Sequence, residues 1–415
     1  MTDRHRLSIC YAVPGHNLLS SAGPTRNVLS LAGALSNWAR VTVAFRRVLE
    51  PITPCGFKVI EVKPDSSQRP HCVDDAAVRG VGYSDFFSYL ASIRRFIATE
   101  LPSYDMVLEK SWLLSGYISS HCRRRGIPAA LVENIVPMLG GAPKSPSELL
   151  RYARLWAARF ITGRYIRNTP RIIAETEQLK KALVRHWRIP ASRVRVVGLG
   201  VDRHRFHPME QTKARSVLGI PQDVKVLLYA GGLDRTHDLT PVLEAMTAYP
   251  DPSLQLHIVG DGMLREAYES RRCACRDRLF FHGRVPYEKI PEYVAAADLC
   301  LAPYDPAAFP GGEVAYSSLK IPEYLAAARP VVSVPSGHIL NLIKPGVSGF
   351  LFPNQPGHWL EFLQRLPPRA ILKQMGERAL RTTAFRSWED TACDYFSICE
   401  EEILRIPKKE SILSP

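Results

Sequence analysis

Ser317-Ser318-Leu319-Lys320-Ile321-Pro322-Glu323-Tyr324-Leu325-Ala326-Ala327-Ala328-Arg329-Pro330-Val331-Val332 decides the reading of this chain. A loop carrying a lysine runs into a short helix that bears one acid, Glu323. Pro330 then precedes an apolar run with the character of a buried strand. That layout suits an anionic diphosphate at the helix start and a hydroxyl-rich sugar at the glutamate.

Working outward, short apolar runs alternate with helical stretches throughout. Val224–Ala230, Leu254–Val259, Leu279–Phe281, Leu299–Ala302 and Val331–Val334 read as strands around the opening segment. Arg6–Val13, Val41–Phe45, Phe57–Val62, Met106–Glu109, Ala129–Glu133, Ile172–Glu175 and Val194–Val197 do so in the first half, with helices over Asn27–Trp38 and Tyr83–Glu100. Such alternation argues for parallel sheets in doubly wound layers. At 415 residues two domains are expected, with the boundary between Pro190 and Pro221. The division reads as 1–195, 196–375 and a closing helical segment 376–405.

Composition narrows the function classes. No apolar run reaches the roughly 18–20 residues that cross a bilayer. The polar start Met1–Arg6 leads straight into a strand rather than a signal peptide, so a cytoplasmic protein is expected. Nine cysteines lie scattered without paired metal spacing, and reduced thiols in packing roles are expected. The net charge of +14 is uneven: residues 1–200 hold 29 Lys and Arg against 14 Asp and Glu, the remainder 25 against 26. A basic half can face nucleic acid, anionic lipid or an acidic substrate. No nucleic-acid-binding motif accompanies it, so no nucleic-acid partner is expected.

Several turns carry chemistry. Leu227–Leu239 is a strand ending in Gly231-Gly232, followed by Arg235 and His237; glycine admits a close backbone approach and Arg235 can grip a diphosphate bidentately. Val259-Gly260-Asp261-Gly262 falls short of G-x-G-x-x-G because Arg265 holds the last place, which removes support for a nicotinamide cofactor. Gly311 and Gly312, in the loop before Lys320, offer backbone amides that can close on a ligand. Glu133 ends a strand at the edge where α/β sheets collect ligands. Leu149–Arg167 mixes five arginines with aromatic and aliphatic residues and reads either as a membrane-surface helix or as a partly buried helix with snorkelling arginines.

The opening segment resembles the S-x-L-K-x-x-E-Y-x-A-x-x-x-P-V-V pattern of family 4 retaining glycosyltransferases. Phe281-His282-Gly283-Arg284-Val285-Pro286 is similar to the family's F-x-G-x-V-P turn. The resemblance is strong over Leu227–Phe352 and weak in the first half. It implies the GT-B fold, an α/β architecture of two Rossmann-like doubly wound domains facing a central cleft. It also implies transfer of a sugar, with retention, from a nucleoside diphosphate sugar to a hydroxyl of a glycan, a lipid-linked or a small-molecule acceptor.

Carried onto this chain, the family's roles place Arg235, Lys320 and Glu313 in catalysis. Glu323 takes the ribose, Arg284 and Val285 the base edge. Gly23, Gly232, His237, Gly311, Gly312 and Leu319 take the donor, and Glu133 the acceptor side. Departures are visible. Nine residues separate Glu313 from Glu323 where the family has seven, and Ala315 stands at the expected acid. Gly232 and His237 replace the family's arginine and lysine, and Ala22 replaces one glycine of the first loop, in which Thr25 reads as a helix cap. No D-x-D pair lies in a loop, so no divalent metal is expected in catalysis and no cofactor besides the donor. Two rivals share these features: a nucleotide-sugar epimerase of the same fold, and an inactive nucleotide-sugar-binding subunit of a membrane assembly.

Overall fold

The computed structural model describes residues 6–18, 23–49, 56–62, 83–134, 160–271 and 277–406. The apolar runs of the first half pair into one parallel sheet: β1 (Ser8–Val13), β2 (Arg40–Phe45), β3 (Lys58–Glu61), β4 (Met106–Lys110), β5 (Ala129–Glu133), β6 (Arg171–Ala174) and β7 (Val194–Val196). Their order is β3-β2-β1-β4-β5-β6-β7. A second parallel sheet holds β8 (Lys225–Ala230), β9 (Leu254–Val259), β10 (Leu279–Gly283), β11 (Leu299–Ala302), β12 (Val331–Ser333) and β13 (Gly349–Leu351), in the order β10-β9-β8-β11-β12-β13.

Side-chain alternation along β8 shows why both faces are covered. Val226, Leu228 and Ala230 join one apolar cluster, while Leu227 and Tyr229 join another. Strands with a core on each face read as continuous apolar runs, which is how parallel sheets appear in sequence. In both sheets the first strand lies between the second and the fourth: β1 between β2 and β4, β8 between β9 and β11. At such a topological switch point the connections leave in opposite directions, and the carboxyl ends of the strands open a crevice that collects ligands.

The chain divides into two compact units: 1–20, 24–198 and 388–415 form one, 21–23 and 199–387 the other. Return to the first unit falls at Trp388, later than the 376 read from sequence, because the helix Arg369–Thr382 still belongs to the second unit. There Gly376 lies so close to the backbone of Ala328 that a Cβ would stand 1.9 Å from its carbonyl oxygen. The helix Trp388–Leu404 is tied to β6 by Arg171, whose Nε donates to Glu402 Oε1 at 2.8 Å with both side chains buried.

Three local readings need correction. Thr25 lies inside the helix Gly23–Leu35 rather than capping it. β13 was not anticipated, since a run of three residues beginning with glycine has no period; Gly349 is needed because a Cβ there would meet Val331 O at 2.0 Å. The helix Tyr117–Arg124 was missed because serine, histidine and arginine interrupt its apolar pattern. Cys10, Cys122, Cys300, Cys393 and Cys399 are free thiols, and burial pushes those of Cys10, Cys122, Cys300 and Cys399 well above the ordinary range. Among the described residues no helix is long and apolar enough to cross a membrane.

Candidate functional site

In the second unit the switch point lies where β8 ends at Ala230 and β11 at Ala302. Gly231 follows β8 with a positive φ of 155°. The glycine turn after β9 packs against it: a Cβ on Gly260 would stand 1.9 Å from Gly231 O, and one on Gly262 2.3 Å from Leu233 O. Gly260 and Gly262 thus serve close packing of two turns.

Asp234 folds the next loop back on itself. Its Oδ1 accepts from the Thr236 backbone N–H at 2.8 Å and from His237 Nδ1 at 3.1 Å. Burial opposes ionisation of Asp234, but the hydrogen bonds from His237 and Thr236 outweigh it and hold the carboxyl below the usual range. With Nδ1 donating, Nε2 of His237 accepts from the Tyr316 hydroxyl at 3.2 Å. Burial and the nearby Lys320 push the imidazole down to about 4, against the pull of Asp234, so His237 is neutral at pH 7. His237 forms a bridge with Tyr304, and the next helix begins at Thr240.

Lys320 is the first residue of the helix Lys320–Ala326. Its Nζ lies 4.4 Å from the ring centroid of Tyr229 and 5.6 Å from that of Tyr304. It donates to the Tyr229 hydroxyl at 3.3 Å, and that hydroxyl donates to Gly232 O. A Cβ on Gly231 would stand 2.6 Å from Nζ, so only glycine leaves the amine its place. Among the described residues no carboxylate forms an ion pair with Lys320; Asp234 and Glu323 act on it only through space. Burial lowers the amine to about 7, with Asp234 and then Glu323 opposing. The arrangement is a cation beside a glycine turn and a helix start, at the edge where ligands collect.

One turn further along the same helix, Glu323 is buried rather than a solvated acid. Its Oε1 accepts from the Tyr287 hydroxyl at 2.6 Å, and the Tyr287 ring is held between Phe206 and the Arg205 guanidinium. Tyr287 follows the 281–286 turn, on which Arg284 is exposed and Val285 packs on the core. Leu319 precedes Lys320 as the helix cap residue, with no side-chain bond. Arg235 is exposed and makes no hydrogen bond or ion pair among the described residues. Gly232, Gly311, Gly312 and Glu313 are exposed, and the two loop glycines take φ of 74° and 71° with open space where a Cβ would be.

Sequence reasoning chose Gly232 of the glycine pair, whereas Gly231 is the one against Lys320. It also passed over Tyr229, Tyr304 and Tyr287. Tyr229 and Tyr304 read as core aromatics on or after a strand; the one usable signal was a hydroxyl-bearing ring next to a glycine pair.

In the first unit Glu133 ends β5, fully buried, and Lys110 ends β4. Lys110 Nζ lies 3.1 Å from Glu175 Oε1 with both side chains buried. Burial works against the Lys110 ammonium, yet Glu175, Tyr11 and Glu133 outweigh it and hold the amine above its ordinary range. Burial and Lys110 push His16 down to about 4. Gly23, which the division of the chain assigns to the second unit, opens the helix Gly23–Leu35. Of the arginine-rich stretch 149–167, residues 149–159 lie outside the described residues; 160–168 are helical, with Phe160 and Ile161 exposed. No group of three or more His, Cys, Asp or Glu that would hold a metal occurs among the described residues.

Residues 23–205 match the family model described as Glycosyltransferase Family 4, and residues 224–366 the one described as Glycosyl transferases group 1. A D-inositol 3-phosphate glycosyltransferase of Geodermatophilus obscurus is 27% identical over 377 residues, covering 85% of this chain and 78% of that protein. One from Streptomyces griseus is 28% identical over 327 residues, 70% of this chain and 65% of that protein. Among solved structures, sucrose-phosphate synthase from Thermosynechococcus elongatus superposes with a TM-score of 0.75 at 19% identity, over 96% of this chain and 100% of that one. WaaG, a glycosyltransferase involved in lipopolysaccharide biosynthesis, gives 0.69 at 17% identity over 96% and 100%. Anabaena HepE in complex with UDP gives 0.66 at 13% over 95% and 100%.

Proposed function

We propose that this chain, a glycosyltransferase of the family 4 type with the GT-B fold, moves a sugar from a nucleoside diphosphate sugar to an acceptor hydroxyl with retention at the anomeric carbon. The observation that carries the reading is Lys320: a lysine amine at the second switch point, seated against Gly231 and unpaired with any carboxylate among the described residues. HepE structures hold UDP and UDP-glucose, which favours a diphosphate as the anion that meets Lys320.

In this reading Lys320 and Arg235, with loop amides near Gly311 and Gly312, face the diphosphate, and the Glu323 carboxylate faces the ribose. The bond from the anomeric carbon to the diphosphate breaks and one to the acceptor oxygen forms. The hydroxyl proton leaves with the diphosphate, whose developing charge the cations of the chain stabilise without a divalent metal. The acceptor belongs to the first unit, on the side of Glu133; a polyol or glycan for a cell-surface polysaccharide or glycolipid, met at the inner face of a membrane, fits the basic first half and the similarity to an inositol-phosphate glycosyltransferase and to a lipopolysaccharide glycosyltransferase.

A panel of nucleoside diphosphates and their sugars, read by thermal shift, tests this, because a ligand of the folded state raises its melting temperature. Binding of one donor, lost in Lys320→Met and Glu323→Ala, is expected. Wild-type affinity in both variants removes the donor site, and turnover of the donor with no acceptor present favours an epimerase instead.

A further inference from the structure

The Lys320 side chain raises a question that a bare cation does not: what holds a desolvated amine in place when nothing of opposite charge touches it? We propose that Tyr229 and Tyr304 are positioning residues, whose ring faces hold the Lys320 ammonium beside Gly231 so that the arriving diphosphate is its first counter-ion. The proposal rests on the donor reading above and adds residues to it that touch neither sugar nor phosphate.

Four observations carry it. Nζ stands over both rings, at 4.4 Å and 5.6 Å from their centroids. Both lie within the ~6 Å over which a ring quadrupole attracts a cation. The rings are themselves fixed: the Tyr229 hydroxyl donates to Gly232 O, and the Tyr304 hydroxyl donates to Ser318 Oγ at 2.7 Å. Gly231 leaves the space that Nζ occupies. The groups with charge to offer are engaged elsewhere: Asp234 with Thr236 and His237, Glu323 with Tyr287. His237, the remaining titratable neighbour, lies tilted against the Tyr304 ring at 4.9 Å between centroids and stays neutral. A lysine salt-bridged to its own protein must give up that partner to take a phosphate. One held by aromatic faces gives up nothing, since a ring face and an anion occupy opposite sides of the same ammonium.

The test replaces Tyr229 in the full chain with phenylalanine and then with phenylalanines of increasing fluorination, which drain the ring face of negative charge at nearly constant volume. UDP-glucose affinity is measured by calorimetry, with the melting temperature as a control on folding. Tyr229→Phe, which also removes the hydroxyl's bonds to Lys320 and to Gly232 O, sets the reference, and the fluorinated phenylalanines are expected to lose about fivefold relative to it in steps that follow ring charge. Constant affinity across the series overturns the proposal, as does a loss that tracks melting temperature instead of fluorine count. Lys320→Met separates the two levels. If it keeps wild-type affinity, the donor reading itself falls; if it loses affinity while the fluorine series is flat, only the aromatic seat falls.

Discussion

The two sheets share the same reversal of strand order and each sets a buried or half-buried lysine near it, but they treat that lysine in opposite ways. Lys110, at the end of β4, lies against Glu175 and within reach of Glu133, and its amine is held above the ordinary range. Lys320 is surrounded by ring faces, and its amine is lowered to about 7. Each has a histidine nearby that is kept neutral, His16 in one unit and His237 in the other. Lys110 is matched to carboxylates within its own fold, whereas Lys320 has none among the described residues, and the donor reading proposed above gives that lysine a ligand for its counter-ion.

The largest effect should come from breaking the matched pair. Lys110→Met strands Glu175 as a buried carboxylate, and a loss of about 3–5 kcal/mol in denaturant unfolding is expected. Lys320→Met should leave stability unchanged or raise it, while UDP-glucose affinity falls roughly thirtyfold, the worth of a charge-assisted contact. Equal stability losses in the two variants would erase the distinction.

Acid comes next. The unfolded imidazole titrates near ~6.5, and His16 and His237 are lowered to about 4 in the fold. Between those values the unfolded chain binds more protons, so stability is full above about 6.5 and declines as pH falls toward 4. His16→Gln and His237→Gln should each flatten that slope in chemical unfolding measured at several pH values. Lys320 has its own window. Between its folded value of about 7 and the ordinary lysine range near ~10.4 the unfolded chain again holds more protons, so stability rises with pH there. UDP-glucose affinity should fall as pH climbs from 6 to 9 and stay flat in Lys320→Met.

The smallest effect sharpens the glycine assignment. Gly232→Ala meets only Asp234 Oδ2 at 3.3 Å and should cost little, whereas Gly231→Ala displaces Nζ from 2.6 Å and should weaken donor binding several-fold in calorimetry.

All seven strands of the first sheet and five of the six in the second were legible, but the candidate site was more legible in the second unit, for a physical reason. Lys320 and Glu323 lie three residues apart on one helix, so their joint placement is written locally, and β9 and β11 were read with their observed ends. The first unit assembles Lys110, Glu133 and Glu175 from the ends of different strands, and no local window contains more than one of them. Glu133 was found only because it closes a strand; its ionic neighbours were invisible until the sheet order was known. Tyr229 was hidden differently, since a ring that packs on a core and also seats an amine looks like any other aromatic on a strand.

The turns after β8 and β9 leave no room for even a methyl group between them at Gly260 and Gly262. They must therefore shift as a single body or not at all. Efforts to retune what this site binds should leave this welded pair alone and vary exposed positions such as Arg284 and Glu313, whose side chains already face solvent.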